Sequence, residues 1–516
     1  MKKTSKRYME TAMGLAKSCA IVLIALLLWA GTAPASGFEA TGLGTKARGM
    51  GGTFRAIADD WTAAFYNPAG YANIYDNQIG GNLSLVHLRN DITPNVRWSN
   101  GTSDLYETGI FNDRQIPNSH EVLSIPSGGF VVRLPVWGET VFGLSAFQLF
   151  DQNINWTMYR PLLSYNDKVT LPNAQYRNDL DVVAFQLTAA REFVEDKLSI
   201  GIGLQLLRAD LLFNDLIFRD NPFKQIDPQS PLTARPFDKI TERTNNDGFG
   251  FGFGLSGGAL IRLGENMTLG LTASLPFDIT VDGNSELEFV MPLNATWLNT
   301  DTTATNLGSV GHLFAAGDQV VDSADFETEF HLPPSIAGGL AVKVGEKLTL
   351  AVDAKYTFWS EFDGLAFKYT GHSGLHGAAN LPTGGDTTVA TREFFTADLS
   401  NPVEWDDAFT FSFGSAYDFN NYLTLLAGAG LDQSAARDAQ RLTPHFSDIG
   451  DKVFVTGGVI VHIQQWDIGL SSGFVSSDDE TITNLDDING DGNIDSFAGD
   501  YRADTYETVL SVNYRF

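Results

Sequence analysis

The chain has 516 residues, 43% of them hydrophobic, with 51 glycines, one cysteine and a formal net charge of −28. Such acidity opposes nucleic-acid binding, which wants a basic face. A single cysteine excludes a disulfide framework and a thiolate metal site.

Residues 1–35 read as a signal peptide. Lys2, Lys3, Lys6, Arg7 and Lys17 make a positive start, Ala20 to Ala30 is apolar, and Ala33-Pro34-Ala35 gives the small-residue cleavage pattern. The apolar run is shorter than the ~20 residues a spanning helix needs. Cys19 precedes that run and leaves with it, so it is no lipid anchor. Loss of the signal removes five basic residues and one acid, Glu10, and takes the charge from −28 to −32. Residues 36–76 follow, rich in Gly and Ala and without strand alternation. They form either a disordered leader or a plug folded into a lumen, and composition favours the leader.

Residues 77–516 then read as all-β. Period-2 patterns mark fourteen strands, at 79–89, 127–135, 140–150, 179–192, 197–210, 247–263, 266–282, 334–344, 347–359, 406–418, 421–433, 452–463, 465–476 and 504–516. Phe249, Phe251 and Phe253 alternate with glycines, and Leu348, Leu350, Val352, Ala354 and Tyr356 oppose Thr349, Ala351, Asp353, Lys355 and Thr357. The third strand is the least regular, because Phe142, Leu144 and Phe147 break its alternation. The last is the clearest. Tyr506, Thr508, Leu510, Val512, Tyr514 and Phe516 share one face, and from Tyr506 to Tyr514 they cover roughly 26 Å at about 3.3 Å per residue. Tilted, that matches the apolar band between two aromatic girdles.

Short turns alternate with long loops between these strands. An even strand count with this layout is that of a fourteen-stranded antiparallel transmembrane β-barrel of the bacterial outer membrane, embedded in its lipid. A closed barrel also satisfies every backbone group and leaves no edge in lipid.

Within residues 36–76 stand Gly44-Thr45-Lys46-Ala47-Arg48-Gly49-Met50-Gly51-Gly52 and Ala64-Phe65-Tyr66-Asn67-Pro68-Ala69-Gly70. With Leu332-Pro333-Pro334-Ser335, Trp359-Ser360, Trp405-Asp406-Asp407-Ala408 and Thr443-Pro444, they resemble the FadL-type family of outer-membrane transporters of long-chain fatty acids and aromatic hydrocarbons. The resemblance implies a barrel plugged by an N-terminal hatch at 36–76, acting as a monomer and needing no cofactor. It implies capture of a hydrophobic small molecule by extracellular loops, binding in the lumen and hatch rearrangement. Lateral release then follows at a kinked third strand. Asn67, Pro68 and Ala69 carry over as hatch residues.

Two loop signals stand beside the resemblance. Leu211, Leu212, Phe213, Leu216, Ile217, Phe218 and Phe223 are too apolar for a solvated loop and suggest a ligand-capturing groove. Asp487, Asn489, Asp491, Asn493 and Asp495 follow the start of an EF-hand-type loop, which suggests structural calcium. Position 12 of that loop is Ala498, not the bidentate Glu. No convincing nucleophile arrangement is present, so a lipid-acting enzyme is disfavoured. A general diffusion porin and a purely structural barrel remain as alternatives to transport.

Overall fold

Each alternating segment pairs with its neighbour in sequence, and the sheet returns to its own first strand. The computed structural model describes residues 37–40, 42–95, 113–118, 122–135, 139–159, 174–220, 239–290, 319–373, 395–436, 442–446, 448–483 and 498–516. The strands are β1 Gln78–Pro94, β2 Ile116–Pro117, β3 Leu123–Leu134, β4 Thr140–Tyr159, β5 Ala174–Val194, β6 Leu198–Asp220 and β7 Lys239–Arg262. Next come β8 Met267–Pro276, β9 Ile279–Val290, β10 Gln319–Phe330, β11 Ser335–Val344, β12 Leu348–Thr357, β13 Gly364–Thr370 and β14 Leu399–Pro402. The last are β15 Ala408–Asn420, β16 Leu423–Asp432, β17 Lys452–Ile463, β18 Trp466–Ser477, β19 Glu480–Ile482 and β20 Gly499–Arg515. Since β2, β9, β10, β13, β14 and β19 continue other strands, fourteen strands cross and close an antiparallel barrel. Closure runs from Gln78↔Arg515 to Pro94↔Gly499.

Outward side chains are those the alternation assigned. Phe249, Phe251 and Phe253 are 56%, 54% and 65% exposed, and Ile200, Ile202, Leu204, Leu206, Leu510 and Val512 join them. Trp466 and Tyr514, 4.6 Å apart, rim the end with short turns, and Phe474 and Tyr506, 4.9 Å apart, rim the other. An apolar belt of this size between aromatic rims fits lipid. Inward, Glu507 and Val509 are buried between the exposed residues of β20.

Several strands run further than expected. β6 continues to Asp220 and β7 begins at Lys239, so residues 211–218 are strand and not loop. The pattern inverts as β6 leaves the lipid band. Below, the apolar residues face out; above, Leu207, Ala209, Leu211 and Phe213 are buried inward while Asp210 and Asn214 take the other face. Water outside and a packed core inside reverse the solvent preference of the two faces, and this disguised the strand as a greasy loop.

Residues 42–76 fill the lumen at the short-turn end. They carry helix α1 (Thr45–Gly49), helix α2 (Ala63–Tyr66) and a 3-10 turn at Pro68–Asn73. Phe54, Trp61 and Tyr71 are fully buried. The segment is a plug, not the leader that its composition favoured. Its Gly and Ala content permits close packing against the wall.

Candidate functional site

The plug is seated by what the wall lacks. A Cβ on Gly428 would stand 2.2 Å from Gly51 N, one on Gly270 2.2 Å from Arg55 O, and one on Gly201 2.3 Å from Pro68 C. These inward glycines let plug backbone lie directly on strand backbone. Asn67, Pro68 and Ala69 sit at such a seat, all fully buried or nearly so. The Asn67 side chain accepts from Ala69 N (3.1 Å), capping the 3-10 turn, and donates to Arg55 O (2.8 Å) and Ala259 O of β7 (3.2 Å). It therefore fixes a turn and ties that turn to the wall.

Ion pairs fasten the other side. Arg48 on α1 pairs with Glu507 of β20, its Nε at 2.7 Å. Asp353 of β12 accepts from Phe54 N, Arg55 N and the Arg55 guanidinium at 3.0–3.2 Å. Trp61 donates to Asn513 at 2.8 Å, and Arg133 of β3 donates to the carbonyls of Ala72 and Ile74 at 2.8 Å each.

The wall is incomplete at its third strand. β3 pairs with β4 only from Leu134↔Thr140 to Gly128↔Ala146, although β3 keeps its pairing with β1 as far as Leu123. A bulge between Gln148 and Phe150 then switches which face of β4 points inward, from Val141, Ser145 and Phe147 to Phe150, Gln152 and Ile154. The broken alternation seen in the sequence lies ahead of this bulge: Phe142 and Leu144 face outward, while Phe147 faces inward and packs on Phe65 of the plug at 5.5 Å. The unpaired backbone is met from inside the barrel. Ala40 N donates to Leu149 O (3.1 Å) and Asp151 N donates to Phe38 O (2.9 Å), with Glu39 bridging Phe150 in antiparallel fashion. Beyond, the Asn118 side chain spans to Asn153 O and Asn155 N at 2.9 and 3.1 Å.

The same short segment fills an aromatic box. The ring of Phe38 lies 4.9 Å from Trp359, 5.1 Å from Phe362, 5.7 Å from Phe150, 6.0 Å from Trp405 and 6.1 Å from Phe446. All six are buried. Gly37, at φ +46°, lies against the Trp359 indole where a Cβ would clash at 2.1 Å. Gly37 N also donates to Asp448 (2.8 Å). Beside the box is a cavity of ≈ 260 Å³ that reaches Ser84, Val86, Ile125 and Ile154 near the break in the wall.

The residues expected to capture ligand occupy a second, higher cluster. Phe213 stacks on His445 at 4.2 Å and lies 4.9 Å from Phe367; Leu211 and Leu216 are buried, Leu212 and Ile217 half-buried. Phe218 is on the same strand, and Phe223 lies outside the described residues. His445 Nε2 donates to Asn214 O (2.9 Å), and burial pushes its imidazole below the ordinary histidine range despite Asp215 nearby. The segment carrying Leu442 to Phe446 thus caps the lumen from the long-loop end. The residues expected to hold calcium, Asp487, Asn489, Asp491, Asn493 and Asp495, and the expected signal peptide lie outside the described residues. Sequence reasoning missed the box, since Phe38, Phe150, Phe362 and Phe446 belong to no local motif, although Trp359 and Trp405 stand in segments that carried the resemblance.

A family model described as outer membrane protein transport protein (OMPP1/FadL/TodX) matches residues 24–516. The chain belongs to that family. It is therefore an outer-membrane β-barrel of a family that transports hydrophobic compounds. Among solved structures, a Pseudomonas aeruginosa FadL homologue is 16% identical, over 93% of this chain and 100% of that one, with a TM-score of 0.68. The Pseudomonas putida toluene transporter TodX is 17% identical over 92% and 99%, with a TM-score of 0.63. The CymD monoaromatic hydrocarbon channel is 14% identical over 93% and 99%, with a TM-score of 0.58. At these identities the likeness is one of fold. No curated protein matches the sequence.

Proposed function

We propose that this chain carries hydrophobic small molecules, long-chain fatty acids foremost, inward across the outer membrane by lateral release between β3 and β4. The observation that carries the reading is the double placement of Phe38. Its ring occupies the aromatic box while its backbone covers the break in the wall. A molecule that takes the box must move Phe38, and moving Phe38 uncovers the break. An apolar ligand gains nothing by entering water, so exit into lipid is the downhill route. The buried cluster around Phe213 and His445 supports passage of the ligand from above, and Asn67-Pro68-Ala69 hold the plug against the wall as the segment ahead of it moves.

The test is saturable binding of oleate to the detergent-folded barrel, with uptake into reconstituted vesicles, for the wild type and Phe38→Ala. Binding and uptake in the wild type, with uptake uncoupled from ligand in the variant, support transport. No binding of any apolar ligand, together with high ion conductance, would point to a porin instead. Monoaromatic hydrocarbons are a second reading, favoured because the box holds a single phenyl ring, and toluene belongs beside oleate in the assay.

A further inference from the structure

The edge of β4 that faces β3 is covered by three different partners in turn. From Thr140 to Ala146 it pairs with β3, and at Leu149 and Asp151 it pairs with residues 38–40. Above these, at Asn153 and Asn155, it meets one side chain, the buried carboxamide of Asn118. Nδ2 of Asn118 donates to Asn153 O at 2.9 Å, and Oδ1 accepts from Asn155 N at 3.1 Å. A carboxamide holds donor and acceptor in one plane, as a peptide unit does, so it stands in for one residue of a missing strand. Asn118 is itself held on β1, where its amide donates to Asn90 O at 2.7 Å and Pro117 pairs with Asp91. The lower edge of the break is backed from inside. Trp61 and Tyr71 of the plug lie on Gly129 of β3 and Gly143 of β4, where a Cβ would clash, and Tyr71 Oη donates to Trp61 O at 2.9 Å.

We infer that the break is a framed window, and that Asn118 is the positioning residue that holds its upper edge and so limits the bulk of what passes. The inference rests on the transport reading above and adds the property that selects, which is girth at the exit. From Ala146 to Asn153 the edge measures about 23 Å of strand at roughly 3.3 Å per residue. When residues 37–40 leave, the backbone uncovered is the stretch between the two edges and no more. An extended chain fits such an opening end-on, whereas a wide fused-ring body has to spread β3 from β4. Loss of Asn118 removes both hydrogen bonds at the upper edge, and the window lengthens into a slot that runs towards the long loops. Selection here works by excluding bulk, with no contact to a particular group on the ligand.

The experiment uses the full-length folded barrel as the wild type, Phe38→Ala, Asn118→Ala and Asn118→Asp. Hydrogen exchange without ligand tests the frame alone. In Phe38→Ala the amide of Asp151 should exchange faster while that of Asn155 keeps its protection. In Asn118→Ala the Asn155 amide should lose protection by about tenfold or more, the scale of one to two lost hydrogen bonds. Uptake into reconstituted vesicles then compares oleate with a fatty acid of similar length tipped with pyrene. The wild type should take up oleate and reject the pyrene acid. Asn118→Ala should lose that preference, and so should Asn118→Asp, which keeps the shape but cannot donate to Asn153 O. Both variants still rejecting the pyrene acid, or a wild type that passes both acids equally, overturns the size limit while leaving transport standing. Joint loss of protection at Asp151 and Asn155 in Phe38→Ala overturns the frame, and this readout needs no Asn118 variant to fold. Uptake of neither acid by the wild type sinks the transport reading and the size limit with it, an outcome kept apart from the frame by the exchange data.

Discussion

The wall and the plug of this barrel are stabilised in opposite ways. Apart from the gap between β3 and β4, each wall strand is tied to its neighbours by a long ladder, from the β1–β20 closure around to β18, so no single side chain decides whether it forms. The plug has two short helices and one 3-10 turn, and it is held by a few contacts such as Asn67 to Ala259 and Arg48 to Glu507. A structure anchored at a few points can be released at a few points. The wall's ties are redundant, and the plug's are few.

Four changes would break or sharpen that contrast. The largest effect is expected from Gly428→Val. Its side chain would meet the backbone of Gly51 and Met50 at 2.2 Å, where nothing flexible can give way. Valine suits a strand, so the barrel should still fold while the plug is driven off its seat, seen as high conductance in planar bilayers. A closed variant with normal barrel spectra would mean that the glycine seats are not required. Phe38→Ala empties the box and should cost the docking of residues 37–40 about 3–5 kcal/mol, in line with burying and then deleting a large aromatic. Hydrogen exchange at the amide of Asp151 reports this directly, because that amide donates to Phe38 O.

Asn67→Ala deletes three hydrogen bonds and strands their partners, an expected loss of about 2–4 kcal/mol from plug seating and little from the barrel. Urea titration should then show the plug's fluorescence transition moving while heat-modified gel mobility stays. A shift of both together would erase the distinction between the two regions. The smallest effect concerns pH. Asp60, on the plug, has its carboxyl pushed up to about 6, first by burial and then by the charge of Asp59. A raised acid binds its proton more tightly in the folded state. The stability it contributes is complete below the ordinary 3.8 and is lost as pH rises through about 6. Amide protection across residues 59–66 should thus be weaker at alkaline than at mildly acid pH, and Asp60→Asn should flatten the profile.

The wall was legible because its chemistry is periodic. Phe249, Phe251 and Phe253 face lipid on one side of a strand whose other face is glycine, and that pattern survives without any tertiary information. The irregular third strand was also visible, and an inward Phe147 packed on Phe65 of the plug accounts for it, with a bulge just beyond. Three features could not be read. Along β6 the apolar stripe passed from the outward positions Ile200 to Leu206 to the inward positions Leu207 to Phe213 where the surroundings changed from lipid to water. The aromatic box draws Phe38, Phe150, Trp359, Phe362, Trp405 and Phe446 from distant parts of the chain, and no spacing rule joins them. Glycines such as Gly201 and Gly428 looked like neutral inward residues until the plug lay against them.

The contact between Arg48 and Glu507 joins residues 459 positions apart, and Thr45 reaches Val509 across 464. Such pairings close almost the whole chain into one loop, the slowest kind of contact to form. The part of the seat that β20 supplies to Thr45 and Arg48 is therefore made by the other end of the chain. The plug thereby staples the two termini of the sequence together inside the cylinder, and a lesion in the last strand would be felt first at the amino-terminal helix.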